Sequence, residues 1–144
     1  MKLNLALATL TAGASLYAAD PAAVATYVGH EKVAAALSKG GAIASGSGFT
    51  VGGYHREKAG QVEVHDKETD VIHVIDGEAT FVTGGAMVGG KTTKPGQSVG
   101  SDITNGETHQ LTAGDVIVVP AGMPHWFKIV PHSVSYYVVK VIKP

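Results

Sequence analysis

Three side chains able to bind a metal ion lie close together in the segment from residue 60 to residue 77. Glu63 and His65 are two residues apart on a predicted strand, so their side chains project from one face about 6–7 Å apart. Asp70 begins the next apolar segment after a polar turn, and a hairpin at that turn would bring it back beside His65. One imidazole and two carboxylates on a shared face could bind a divalent cation.

A fourth candidate ligand, His125, follows the apolar predicted strand Val116–Val119 and a turn that contains Pro120 and Gly122. The chain has no cysteine, which excludes a disulfide framework, a thiolate zinc site and a cysteine nucleophile. Any metal ion must therefore be bound by imidazole and carboxylate groups.

These two segments resemble the two sequence motifs of the cupin family. The segment Gly114–His125 matches the second motif, Gly-x5-Pro-x-Gly-x2-His, although Ile129 stands where the family has a terminal Asn. The segment Glu63–Gly77 is similar to the first motif, His-x-His-x4-Glu-x6-Gly. In that segment Glu63 replaces the first His of the motif, and Asp70 replaces its Glu.

The resemblance, which covers residues 48–142, implies a metal ion bound inside a barrel by Glu63, His65, Asp70 and His125. Two imidazoles with one or two carboxylates suit Fe(II), Mn(II), Ni(II) or Zn(II). Asp70 reaches about 1.5 Å less than a Glu would, so direct coordination, coordination through water and no coordination all stay open. The alternative is a metal-free barrel in which Glu63 and Asp70 hydrogen-bond to His65 and to turn amides.

The cupin resemblance leaves two functions open. The first is a metal-dependent enzyme that acts on a small organic molecule, of the dioxygenase, isomerase or lyase type. Glu63 or Asp70, whichever does not bind the metal, is then the candidate general base, because an unpaired carboxylate in an apolar wall has a raised pKa. The second is a non-catalytic barrel that binds a small ligand, and fold alone does not choose between the two.

Three further residues are predicted to border a substrate pocket. His55 lies one strand before the first motif and could line the cavity. Trp126 and Phe127 directly follow the second motif, so one of the two rings should face inward. His73, by contrast, is expected on the opposite face of its strand from the candidate ligands and is predicted to pack or to contact another molecule.

A scaffold of short strands is needed to position these residues. The 19 glycines and 6 prolines indicate many tight turns, and no long helix interrupts the segments after Ile43. We predict an all-β fold, a single cupin-type antiparallel β-barrel (double-stranded β-helix or jelly roll) with a short N-terminal helix. The predicted strands are Gly48–Tyr54, Gln61–His65, Val71–Ile75, Ala79–Thr83, His109–Leu111, Val116–Val119, Trp126–Val130 and Val134–Ile142.

Smaller features complete this prediction. Ala25–Val28 could form a short strand, and His30–Lys39 reads as a helix that Gly40-Gly41 ends. Asp76-Gly77 lies between two apolar segments, a pattern that predicts a hairpin. The glycine-rich stretch Gly84–Gly106 is predicted to be a surface connection that could cover one mouth of the barrel.

The first residues are typical of a secretory signal peptide. Lys2 precedes an apolar run, Leu3–Leu16, and small residues follow near Ala19. The run is short for a membrane span, which needs about 20 apolar residues. We therefore predict a signal peptide over 1–19, a strand and helix extension over 20–47, and the barrel over 48–144. The expected location is periplasmic or secreted, without membrane contact after cleavage; an N-terminal amphipathic or core helix is the alternative.

Composition restricts the choice of partners. The net charge is −1 and the sequence contains no block of lysine or arginine, so it lacks the positive field that nucleic-acid binding requires. The apolar fraction of 44% is ordinary for a globular core. The expected partner is a small-molecule ligand or substrate, and the cupin resemblance implies a homodimer.

Overall fold

The computed structural model describes residues 24–143, which form one helix followed by twelve strands. The predicted signal peptide, 1–19, lies outside the described residues. The elements are α1 (His30–Lys39), β1 (Gly41–Gly46), β2 (Phe49–Arg56), β3 (Val62–His65), β4 (Glu68–Thr83), β5 (Ala86–Val88), β6 (Lys91–Lys94), β7 (Gln97–Gly100), β8 (Asp102–Thr104), β9 (Glu107–Thr112), β10 (Val116–Val119), β11 (His125–Ile129) and β12 (Val134–Ile142).

The long strand β4 belongs to two antiparallel sheets. Its first half pairs with β12 and β10, and with β2 and β1 they form the first sheet. Its second half pairs with β9 and β11, and β11 continues through β3 and β7 to β6 to form the second sheet. β5 and β8 form a separate two-stranded ribbon. The predicted all-β barrel with one short N-terminal helix is confirmed.

The core lies between the two sheets and follows the two-residue alternation of strands. In β12, the buried residues Val134, Tyr136 and Val138 alternate with half-buried ones. The ring of Phe127 packs between Tyr136, 4.7 Å away by centroids, and Phe81, 4.6 Å away. Full burial of one large apolar side chain contributes about 1.5–3 kcal/mol. This aromatic stack therefore joins the two sheets strongly, directly beside the residues of the candidate site.

The predicted hairpin at Asp76-Gly77 is wrong, because β4 continues through the pair without ending. Gly77 has a φ of +79°, but Asp76 is not among the described residues with positive φ. A two-residue hairpin of type I′ needs positive φ at both positions. In the pairing with β12, Ser135 lies opposite Asp76 and Tyr136 lies opposite Val74, which leaves Ile75 as an extra residue. The strand therefore has a bulge at Ile75, directly before the Asp-Gly pair, where β4 passes from one sheet to the other.

Two other local predictions need correction. Residues 24–29 form neither helix nor strand. Tyr27 within the predicted strand Ala25–Val28 is 91% exposed, and no strand of the described residues 24–143 pairs with this segment. The predicted surface connection Gly84–Gly106 contains the four short strands β5 to β8. Of these, β7 pairs directly with β3 and so belongs to the second sheet.

The helix α1 has the predicted bounds and packs against β2 and β1 on the outer face of the first sheet. It ends at Gly40, whose φ is +75° and whose N–H donates to the carbonyl oxygen of Ala36 at 2.9 Å. Within the part of the chain that the structure describes, no helix has the length and apolar character needed to cross a bilayer.

The bulge gives a test of the fold. A Cβ added at Gly77 would collide with the carbonyl oxygen of Ser133, whereas one added at Gly84, whose φ is +72°, meets nothing within 4 Å. Gly84→Ala should lower the free energy of unfolding by about 1–2 kcal/mol, the cost of left-handed backbone alone. Gly77→Ala should cost at least about 1 kcal/mol more, because a backbone contact must also open. Urea unfolding measures both, and equal costs would contradict the described bulge.

Candidate metal centre

Glu63 and His125 lie directly opposite each other on the neighbouring strands β3 and β11. Glu63 Oε2 is 4.0 Å from His125 Nε2, and the His65 and His125 ring centroids are 5.1 Å apart. One ligand atom from each of Glu63, His65 and His125 lies within 4.8 Å of the others. The same-face placement of Glu63 and His65 and their convergence with His125 are thus present in the structure.

A backbone hydrogen bond orients the His125 ring. Its Nδ1 lies 3.1 Å from the carbonyl oxygen of Met123, which can only accept, so Nδ1 carries the proton and donates it. Nε2 therefore keeps its lone pair and faces Glu63 and His65. Burial lowers the pKa of His125 and outweighs the opposing effects of the Met123 carbonyl and of the Asp70 charge. The neutral ring with a free Nε2 is the form that binds metal ions.

Asp70 is paired with a lysine that the sequence analysis did not single out. Lys140 lies opposite Asp70 in the pairing of β12 with β4, and its Nζ donates to Oδ1 at 2.9 Å and to Oδ2 at 3.0 Å. Lys140 Nζ is also 3.0 Å from Glu68 Oε2. The three hydrogens of the ammonium group therefore have three carboxylate acceptors. Asp70 is only 4% exposed, so this pair is largely removed from solvent.

The same pair orients His65. Its Nδ1 is 3.2 Å from Asp70 Oδ2 and 3.1 Å from Lys140 Nζ. Nδ1 accepts from Lys140 in one tautomer and donates to Asp70 Oδ2 in the other, and both contacts hold the ring in place. In the neutral tautomer that donates from Nδ1 to Asp70, Nε2 is the atom that can bind a metal. A carboxylate behind a metal-binding histidine is a common arrangement, and it fixes both the tautomer and the ring orientation.

The pKa of Asp70 corrects the expectation of a raised carboxylate pKa. Burial by itself would raise it, but hydrogen bonds from His65 and Lys140 and the charge of Lys140 hold the pKa of Asp70 below its usual value. Burial lowers the pKa of Lys140, and the Asp70 and Glu68 carboxylates more than reverse this, so its pKa is raised. Asp70 is therefore ionised and paired, unlike the unpaired carboxylate that the sequence analysis considered.

Asp70 reaches the site by a route different from the predicted hairpin. β3 and β4 do not pair with each other; the chain turns a corner at Asp66 and Lys67 and passes from the second sheet to the first. Asp70 forms a possible ligand group with His65 and Glu68, whereas the group of Glu63, His65 and His125 does not include it. Its Oδ2 is nevertheless 3.6 Å from His125 Nε2. All four predicted ligands thus come together, with Asp70 on the side of Lys140.

A cavity of about 250 Å³ opens beside these side chains. Trp126 and Phe127 both border it, although only one was expected to face inward. Phe127 is buried in the core, and the Trp126 ring is held where its Nε1 donates to the Gly60 carbonyl oxygen at 2.8 Å. The lining residues are Tyr54, Arg56, Gln61, Glu63, His65, Asp70, Ile72, Lys94, Gln97, His125, Trp126, Phe127, Tyr136, Val138 and Lys140.

The predicted pocket residue His55 does not line this cavity. It lies on the outer face of β2, where its Nδ1 is 2.8 Å from Ser135 Oγ. Its neighbours Tyr54 and Arg56 line the cavity instead, because successive residues of a strand face opposite sides. His73 lies exposed on the outer face of β4, as the strand alternation predicts.

The chain is similar in sequence pattern and fold to known proteins. The cupin family model matches residues 23–143. A Bacillus halodurans protein is 13% identical with a TM-score of 0.53, and the match covers 72% of this chain and 69% of the Bacillus halodurans chain. A Klebsiella pneumoniae protein with a double-stranded β-helix domain is 18% identical with a TM-score of 0.50. That match covers 70% of this chain and 69% of the Klebsiella pneumoniae chain. No curated protein matches the chain.

Peruvianin-I from Thevetia peruviana is 16% identical with a TM-score of 0.44. The match covers 67% of this chain but only about half, 52%, of Peruvianin-I. Because the family model matches nearly all of the described residues, the chain belongs to the cupin family. Its cluster of Glu63, His65, Asp70 and His125 is one that could hold a metal ion.

The buried pair of Asp70 and Lys140 can be tested in metal-free protein. Lys140→Met leaves two carboxylates without their cation and should lower the free energy of unfolding by about 3–5 kcal/mol. The additional change Asp70→Asn should recover part of this loss, giving a coupling energy of at least about 1 kcal/mol in a double-mutant cycle. Lys143→Met, which removes an exposed lysine near the end of the same strand, should cost less than about 0.5 kcal/mol.

Denaturant unfolding of five proteins supplies these energies: wild type, Lys140→Met, Asp70→Asn, the double variant and Lys143→Met. If Lys140→Met were no more destabilising than Lys143→Met, Lys140 would not be the buried partner of Asp70.

Proposed function

We propose that this cupin is a metal-dependent enzyme in which Glu63, His65 and His125 bind one divalent transition metal ion, Fe, Mn, Ni or Zn. The observation that supports this most directly is the orientation of the two rings. Each has an acceptor at Nδ1, the Met123 carbonyl for His125 and the Asp70 carboxylate for His65. In the neutral tautomers that donate from Nδ1 to these acceptors, both Nε2 atoms have lone pairs, and both rings belong to the same group of possible ligands.

The donor set fits the proposed ion. Two neutral imidazoles and one carboxylate form the facial set that leaves coordination positions open for water or substrate. Glu63 has a third of its side chain exposed on the cavity side, so its carboxylate can adjust to the ion. A metal bound there would supply Lewis acidity toward a substrate oxygen. The protein itself would hold the ligands rigidly, because the opposed strands β3 and β11 fix their backbones.

Asp70 receives a different role in this proposal from the direct ligand or general base considered from the sequence. Its lowered pKa makes it a weak base near neutral pH, where efficient proton transfer needs a pKa close to the working pH. Its contacts instead place it behind His65, which it orients together with Lys140. We therefore assign Asp70 and Lys140 as positioning residues and Glu63 as the carboxylate that contacts the metal.

The substrate in this proposal is a small organic molecule. The cavity of about 250 Å³ is below the roughly 300–1,000 Å³ of pockets for drug-sized ligands. Its wall combines the aromatic rings of Phe127 and Tyr136 with polar groups close to the cluster. Such a wall suits a compact molecule with both an unsaturated or apolar part and a polar part. Dioxygenase, isomerase and lyase chemistry all remain compatible with it.

A metal-free barrel that binds a small ligand is the second candidate, and one observation favours it. Lys140 already supplies a positive charge to Asp70 and Glu68, so these two carboxylates need no metal to offset the cost of burial. Only Glu63, which is less buried, would then lack a cation.

Signal-peptide cleavage near Ala19, export to the periplasm or medium, and a homodimer stay predictions. They can be checked by the first residue and the solution mass of the recovered protein.

Metal content decides between the two candidates. Protein purified without chelator or affinity metal should contain about one equivalent of a transition metal by elemental analysis. His125→Ala should lower this at least about tenfold, the scale on which ligand-shell changes weaken metal affinity. His73→Ala removes an imidazole from the outer face of β4 and should leave the metal content unchanged.

Circular dichroism should show that both variants remain folded. Wild-type protein that takes up no metal after incubation with Fe(II), Mn(II), Ni(II) or Zn(II) would contradict the enzyme proposal and support the metal-free barrel.

A further inference from the structure

Arg56 is the single arginine of the chain, and its side chain lies in the cavity beside the proposed metal site. The residue is half-buried. None of the ion pairs in the described part of the chain, 24–143, includes it. A guanidinium group that is partly removed from water usually has a carboxylate or phosphate partner, because desolvating an unpaired charge is costly. The two carboxylates that border this cavity contact other groups, Glu63 near His125 and Asp70 at Lys140, and neither forms an ion pair with Arg56.

Neighbouring side chains hold the guanidinium group in one orientation. Arg56 Nε donates to Tyr136 Oη at 2.8 Å. Its central carbon lies 5.1 Å from the centroid of the Phe127 ring, close enough for a cation–π contact. One of the five N–H groups is thus used by a neutral oxygen, and the Nη groups remain as a planar fork. A fork of this kind matches the two oxygens of a carboxylate.

The loop after β2 leaves room for this fork. A Cβ added at Gly60 would lie 2.8 Å from Arg56 Nη1, so only glycine fits there without moving the guanidinium group. The Gly60 backbone is fixed in place, because its N–H donates to the Phe127 carbonyl oxygen at 2.9 Å and its own carbonyl oxygen accepts from Trp126 Nε1 at 2.8 Å. The position of Arg56 is therefore built by its surroundings, as in a preorganised binding group.

We infer that Arg56 binds a carboxylate group of the substrate, so that the enzyme acts on a small organic acid. Arg56 and the ligand cluster border the same cavity, which lets one end of a compact anion meet the guanidinium group while the other faces Glu63, His65 and His125. This inference rests on the proposed function for the chemistry at the cluster. The proposed anion site consists of Arg56, Tyr136 and the aromatic wall, with Lys94 at the border of the same cavity, and it does not need the metal.

Calorimetric titration with malonate tests the inference, with malonamide as an uncharged probe of similar shape. Malonate should bind wild-type protein in both the metal-free and the zinc-loaded form, and malonamide should bind at least about tenfold more weakly. Arg56→Met should weaken malonate binding at least about tenfold in both forms, the loss expected when a charge-assisted pair is removed. The malonate affinity of Arg56→Lys should lie between those of wild type and Arg56→Met, because an ammonium group keeps the charge but lacks the planar fork of the guanidinium group.

Two further variants make the result specific. Lys32→Met removes one positive charge from α1, outside the cavity, and should change malonate affinity less than about twofold, as expected for a screened distant charge. His125→Ala should remove the zinc but keep the dependence of malonate binding on Arg56. Zinc content and the unfolding midpoint of Arg56→Met show whether its fold and metal site are intact. If this variant does not fold, the comparison of Arg56→Lys with wild type decides.

The outcomes separate this inference from the proposed function. Unchanged malonate affinity in the Arg56 variants, equal affinity for malonamide, or no malonate binding by wild-type protein would overturn the carboxylate site, even if zinc binds as proposed. Arg56-dependent malonate binding in a protein that takes up no metal would support the anion site and overturn the metal-dependent enzyme.

Discussion

The interior of this barrel depends on the ion pair between Asp70 and Lys140. A carboxylate that is 4% exposed is costly to keep ionised unless a cation and hydrogen bonds compensate it, and Lys140 provides both from the opposite position of the neighbouring strand. Because the ammonium group is directed at carboxylates, His65 can donate its Nδ1 proton to Asp70. The pair thus orients the ring of His65, while Glu63, His65 and His125 are the proposed metal ligands.

The cluster lies where the two sheets meet, and the fold explains why. Glu63, His65 and His125 come from β3 and β11 of the second sheet, whereas Asp70 and Lys140 come from β4 and β12 of the first. The long strand β4 joins the sheets by bending at its bulge instead of ending in a turn. The aromatic contacts among Phe81, Phe127 and Tyr136 close the same region from the core side. Movement of one sheet against the other would therefore disturb both the packing and the site.

The sequence predicted what depends on local patterns. The motif spacing identified the family and the four clustered side chains, and the alternation of strands placed His73 correctly outside. The hairpin prediction at Asp76-Gly77 was wrong because a bulge and a hairpin can both contain a left-handed glycine. Only the long-range pairing of β4 with β12 distinguishes the two structures. His55 was one residue out of phase, and a shift of one residue moves a side chain to the other face. Its neighbours Tyr54 and Arg56 line the cavity instead.

Lys140 shows what sequence reasoning could have found with one further step. It follows Tyr136 and Val138 at intervals of two, so the alternation that buries those residues also directs the lysine inward. A charged residue on the buried face of an apolar strand indicates a buried partner. The identity of that partner could not be read from the sequence, because the register that sets Lys140 opposite Asp70 joins segments 70 residues apart.

A crystal structure of zinc-loaded protein, with the ion located by its anomalous scattering, tests the central claim most directly. The account predicts one zinc ion about 2.0–2.2 Å from a Glu63 oxygen and from Nε2 of both His65 and His125, with Lys140 still bound to Asp70. A zinc ion bound by Asp70 and Glu68, with Lys140 displaced, would contradict it. So would His65 and His125 directed at no common ion.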